Sequence, residues 1–179
     1  MTSFLNPKIR RPSTELEATV RSVPVTQEIG HHKFDLRALP EEGVKWMADR
    51  GFRFTHAEVF VVPAGARVHP HSDASPFADS IKMNWQFGSS ASMMTWYTTE
   101  SSGTSLVTPV NTEYALYDLA DCKLTQSTLL RPTPLIVHTK YAHGLVNAGN
   151  TASFILTAMF TNAKRDLSWE MLVSVLNKG

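Results

Sequence analysis

The chain predicts an all-β domain with flanking helices, a sandwich or jelly roll, on three observations. Short runs rich in β-branched and aromatic residues recur at about 8–12-residue spacing, separated by turn signals such as Pro63-Ala64-Gly65-Ala66 and Asn147-Ala148-Gly149-Asn150. Ile81, Met83, Trp85 and Phe87 alternate with Lys82, Asn84 and Gln86, the two-residue period of a pleated strand. Helical periodicity is confined to two stretches, one opening at Pro40 and one near the end, over 166–177.

Taken in order, residues 1–20 read as a weakly ordered N-terminal arm and 21–179 as a single domain. An extended segment starts at Val23, and His31 and His32 lie in a glycine loop as solvated residues. Pro40-Glu41-Glu42 opens a helix, because proline suits the first turn and the two carboxylates face the positive end of the helix dipole. Val44 and Met47 lie at helical spacing and Gly51 ends the helix, which should pack on the outside of a sheet. Strands are expected over 54–62, 80–87, 93–98, 114–118, 125–130, 134–139 and 154–161, with a loop at Ser101-Ser102-Gly103. In the last helix Trp169, Leu172, Val173 and Leu176 fall at i, i+3, i+4 and i+7 and form an apolar stripe for the core.

At 179 residues, 42 % of them hydrophobic, the chain fits one domain with an ordinary core. A net charge of +1 and the lack of a long Lys/Arg block argue against nucleic-acid binding by bulk electrostatics. The single cysteine, Cys122, excludes an internal disulfide and a zinc-ribbon site. The first twelve residues carry no apolar signal-peptide core, and no stretch approaches the roughly 20 apolar residues of a membrane helix. A cytoplasmic protein without a membrane partner is expected.

The candidate chemistry lies in His71-Ser72-Asp73 and in His143, 72 residues after His71. The turn at 63–66 and a new strand deliver His71 and Asp73. Two apart on an extended chain, their side chains project from one pleat face and can converge on one ion. A third ligand must come from a distant strand. His143 stands a few residues before one, and jelly-roll topology brings such strands side by side. Two imidazoles and one carboxylate form the facial set that leaves the opposite face of an octahedral iron open. His69 complicates the assignment, because His69-Pro70-His71 could itself be a ligand pair. His138, which shares a strand face with Ile136, and His56 read as structural.

Five pieces, in order, carry a resemblance: Pro63-Ala64-Gly65 ahead of His71-Ser72-Asp73, Ile81-Lys82-Met83-Asn84-Trp85, Met94-Thr95-Trp96-Tyr97, Pro134-Leu135-Ile136-Val137, and His143-Gly144-Leu145-Val146-Asn147. Over about 54–160 the chain resembles the iron(II)- and 2-oxoglutarate-dependent oxygenases. Within them it is similar to the small aspartyl/asparaginyl β-hydroxylase-like and prolyl-hydroxylase-like proteins. The resemblance implies a double-stranded β-helix, Fe(II) held by His71, Asp73 and His143, and 2-oxoglutarate as cosubstrate. It implies a reaction in which the cosubstrate is decarboxylated to succinate and carbon dioxide while an unactivated substrate C–H bond is hydroxylated. By the same analogy the substrate is a small molecule or peptide, amino-acid-like in chemistry.

Members of that family usually carry an arginine about ten residues after the distal histidine, where it grips the far carboxylate of 2-oxoglutarate. Here that position is Ser153, and no arginine lies between His143 and Lys164. A dianion inside a barrel needs a cationic partner. Lys82, beside Asn84 on the polar face of its strand, is the best substitute, in the manner of the jumonji-type and factor-inhibiting hydroxylases. Arg67 ranks below it, because the preceding turn and Pro70 interrupt the alternation that would aim it at the ligands. Ser153 offers a hydrogen bond without charge. Residues 77–80 read as a lid or substrate loop, and Trp85, Trp96 and Tyr97 as core more than pocket wall. Two other readings stay open. One is a cupin-type metalloprotein that also uses His69, although the glutamate expected after His-x-His is absent. The other is a non-catalytic jelly-roll binding protein that has lost 2-oxoglutarate.

Overall fold

The computed structural model describes residues 3–74, 77–107 and 113–177. Along the chain run β1 (Phe4–Leu5), α1 (Thr14–Arg21), β2 (Gly30–Lys33), α2 (Glu41–Ala48), β3 (Phe52–Val62), β4 (Arg67–Asp73), β5 (Ile81–Gly88) and β6 (Ser92–Thr99). There follow β7 (Thr104–Val107), β8 (Glu113–Leu116), β9 (Cys122–Leu129), β10 (Leu135–His138), β11 (His143–Asn147), β12 (Ser153–Asn162) and α3 (Trp169–Leu176). One sheet has the order β1-β10-β5-β12-β3-β2 and the other β7-β8-β4-β11-β6-β9. From β3 to β6, and again from β9 to β12, successive strands alternate between the sheets, which makes the fold a double-stranded β-helix.

The first sheet is buried on both faces, and its alternation assigns each side chain. Met83, Trp85 and Phe87 join Ala57, Val59, Val61, Leu156 and Ala158 on the outer face. There they meet Val20 of α1, Met47 of α2, and Trp169 and Leu172 of α3. Each such buried side chain contributes about 1.5–3 kcal/mol, so the helical layer carries a large share of a stability of about 5–15 kcal/mol. Gly43 lets α2 lie flat, since a Cβ there would stand 2.9 Å from Trp85 Cζ2. On the inner face Val62, Leu135, Val137 and Ile155 meet Met94, Trp96 and Leu145 of the second sheet. The expected face of Lys82, Asn84 and Gln86 points inward, so polar groups are carried into the space between the sheets.

The N-terminal segment differs from the arm expected of it. Ser13 Oγ accepts from the Leu16 N–H and caps α1, whose Val20 is fully buried, and β1 pairs with β10. A single apolar anchor per turn, spaced by charges, docks the segment without a strong periodic signal. The segment from Val23 forms no strand of its own, and the loop expected at Gly30-His31-His32 is strand β2 instead. The hairpin partner β7 was also not anticipated; its four residues are exposed and show no apolar alternation. Trp85 and Trp96 are core residues, as expected. Among the described residues, no helix is long and apolar enough to cross a membrane.

Candidate metal centre

The site is built where β4 and β11 lie side by side. His143 pairs with His71, but Leu145 pairs with Val68, so β4 carries one extra residue between the two pairs. The bulge contains Pro70, which has no N–H to lose from the ladder. It also switches the inward parity of the strand: Val68 faces the cavity before it, His71 and Asp73 after it. Arg67 is therefore turned outward and exposed, which settles its orientation against the ligand face. His143 is the first residue of β11 rather than a loop residue ahead of it. Gly144 allows the close approach of the two strands, since a Cβ there would lie 2.8 Å from the Val68 carbonyl.

His71, Asp73 and His143 each present a ligand atom within 4.8 Å of the others. Both imidazoles turn Nε2 toward one carboxylate: His71 Nε2 is 3.9 Å from Asp73 Oδ1, and His143 Nε2 is 3.8 Å from Asp73 Oδ2. Each Nδ1–H donates to the carbonyl two residues earlier, His69 O and Tyr141 O, both at 2.9 Å. A carbonyl can only accept, so Nδ1 holds the proton and Nε2 keeps its lone pair toward the centre. Burial pushes the His143 imidazole down to about 3, reinforced by neighbouring His71 and opposed by Asp73. Burial lowers His71 as well, against the pull of Asp73. Two neutral imidazoles and an ionised carboxylate are the protonation states a divalent cation requires.

Lys82 points into the space between the sheets. Its ammonium lies 2.9 Å from Asp73 Oδ2 and 3.9 Å from Glu58 Oε1, with the side chain 12 % exposed. Burial opposes its charge, but Asp73 and Glu58 outweigh it and raise the lysine above its usual range. Burial likewise opposes ionisation of Asp73; Lys82 and the two histidines overcome it and hold the carboxyl far below the usual range. Glu58 extends the charged chain, with His31 Nδ1 3.4 Å from its Oε2.

These groups line a cavity of about 380 Å³ together with Phe60, Val68, Met94, Tyr114 and Ile155. Asn84 lies in its wall, 7 % exposed. Ser153 does not: it is fully buried opposite Val62 and Gly88, and the cavity face of β12 is formed by Ile155 and Thr157. His69 reaches the cavity wall but stands outside the group of three ligand atoms. His138 is structural, stacked on Trp169 at 4.9 Å and 3.6 Å from Asp79. The His56 Nε2 is buried without a hydrogen-bond partner, contrary to the satisfied histidine expected there. None of residues 77–80 lines the cavity, and Asp79 is tied to Lys140 Nζ and the Trp169 N–H, so this stretch is anchored rather than a lid. Sequence reasoning passed over Glu58 and placed His31 in a solvated glycine loop, whereas it lies in β2, half-buried, and lines the cavity. The signal for Glu58 was a lone carboxylate within a strand apolar on both faces, where an uncompensated charge is costly.

Neither a protein-family model nor a curated protein matches the sequence. Solved structures do match. The non-heme alpha ketoglutarate dependent carbocyclase SnoK from nogalamycin biosynthesis aligns at TM-score 0.58 and 10 % identity, over 90 % of this chain and 80 % of that one. AviO1 from Streptomyces viridochromogenes Tue57 aligns at 0.54 and 9 %, over 93 % and 92 %. EvdMO1 aligns at 0.53 and 11 % over 90 % of this chain, which spans 47 % of EvdMO1. At these identities the likeness shows a shared fold: the chain is a double-stranded β-helix protein of the kind on which SnoK is built.

Proposed function

We propose that the chain is an Fe(II)- and 2-oxoglutarate-dependent oxygenase that hydroxylates an unactivated C–H bond of an amino-acid-like or peptide substrate. The observation that carries this reading is the pair of neutral imidazoles, each locked through Nδ1, with both Nε2 atoms facing one buried carboxylate. The fold shared with SnoK supports it. His71, Asp73 and His143 would hold the metal, which with its cosubstrate supplies the oxidising power for C–H cleavage.

The chain's own residues orient and exclude. The carbonyls of His69 and Tyr141 fix the ligand rings. Lys82 is the fixed cation of the cavity and the partner for a far carboxylate, with Asn84 two residues along the same face. Phe60, Met94, Leu145 and Ile155 keep the walls apolar, which strengthens each charge interaction inside. Anaerobic addition of Fe(II) and then 2-oxoglutarate tests the reading. A weak visible charge-transfer band should appear, and admitting oxygen should convert 2-oxoglutarate to succinate. Absence of both would overturn it.

A further inference from the structure

We infer that the substrate presents an amine, as its cationic form, to Glu58 on the cavity wall beside the metal centre. The inference rests on the oxygenase reading above and deepens it. Glu58 is 4 % exposed, yet it lines the cavity. Its contacts are loose, with His31 Nδ1 at 3.4 Å and Lys82 Nζ at 3.9 Å, whereas charge-assisted hydrogen bonds run about 2.7–2.9 Å. Lys82 stands closer to Asp73, at 2.9 Å, so one ammonium is shared between two buried carboxylates. A divalent metal and a dianionic cosubstrate cancel each other. With the His31 imidazole neutral, the loaded cavity then keeps one negative charge in excess, that of Asp73 and Glu58 against Lys82. Buried charge in excess is costly, and a substrate ammonium removes it.

The wall around Glu58 suits such a group. Glu58, Thr157 and Asn84 stand opposite one another on β3, β12 and β5, and cross-strand partners project to one face. All three line the cavity. Asn84 Oδ1 is buried without a hydrogen-bond partner, a second acceptor open to a donor. Phe60, two residues along β3, lines the same cavity and packs edge-on with the His31 ring, 4.5 Å between centroids. An anionic group at this wall would meet Glu58 as repulsion. Glu58 and Asp73 both contact the Lys82 ammonium, at 3.9 and 2.9 Å, so an amine held at Glu58 stands close to the metal centre.

The test is calorimetric titration of the full chain, loaded with Zn(II) and 2-oxoglutarate, with n-hexylammonium, n-hexanol and hexanoate as probes. Hexylammonium should bind at least about tenfold more tightly than hexanol, and hexanoate weakest of the three. The preference should shrink without 2-oxoglutarate and vanish in Glu58→Gln, with the metal content unchanged. Equal binding of amine and alcohol by the wild-type chain, or a preference that survives in Glu58→Gln, overturns the inference. If Glu58→Gln does not fold, the wild-type comparison decides alone. Failure of 2-oxoglutarate to bind the metal-loaded chain overturns the oxygenase reading and this inference together. Binding of 2-oxoglutarate without amine preference overturns the inference only.

Discussion

His71 and His143 share one local device: each ring donates Nδ1–H to the carbonyl two residues before it, at 2.9 Å. That bond selects the tautomer, so the sensitive positions are the three groups facing inward. His143→Ala and Asp73→Ala should each weaken metal binding by more than about 100-fold, beyond the usual effect of an outer-shell partner, as read by metal analysis after dialysis. His69→Ala should keep the metal, because its imidazole stands outside the group of three. Loss of metal in that variant would favour the cupin reading. Lys82→Met should weaken 2-oxoglutarate binding by about tenfold or more with metal retained, measured by anaerobic titration. Period-two alternation put His71 with Asp73, and Lys82 with Asn84, on common faces; His143 and an inward Lys82 needed the family resemblance as well. Glu58 and His31 were not legible, because their roles depend on β2 pairing with β3 and on β12 joining β3 to β5, an order no local pattern encodes.

Among the elements, β4 matters most. Its bulge reverses parity at Pro70, and alternation read straight through it would have aimed Arg67 at the metal. Gly144 is the counterpart on β11. Gly144→Ala would place a Cβ 2.8 Å from the Val68 carbonyl and push the strands apart. The expected outcome is a folded protein with weakened metal affinity, checked by circular dichroism beside metal titration. In the helical layer, α3 docks through Trp169 on His138. Burial lowers the His138 imidazole below its ordinary value near 6.5, against the pull of Asp79. Below about pH 6.5 the unfolded chain therefore binds a proton that the folded one resists, and stability falls as pH falls. The melting temperature should drop between about pH 7.5 and 5, less steeply in His138→Asn. The long inner strands were readable from alternation, whereas β1, β7 and α1 were not, since each is short and held by its partners rather than by its own periodicity.

For the molecule as a whole, two sheets converge on a cavity that holds more buried charge than an apolar core tolerates unaided. Asp73 and Glu58 face a single lysine, so a divalent cation should stabilise the folded chain strongly. At about 100-fold excess over its Kd a ligand adds about 2.7 kcal/mol, a rise in Tm of roughly 5–10 °C for a chain of this size. Fe(II) or Mn(II) under anaerobic conditions should produce that rise, and the Asp73→Ala variant should not. The most direct test is an anaerobic visible spectrum of the Fe(II)-loaded chain as 2-oxoglutarate is added. A weak charge-transfer band that saturates with one equivalent, and is absent from His143→Ala, is the expected result. A featureless spectrum from protein shown to contain the metal would contradict the account.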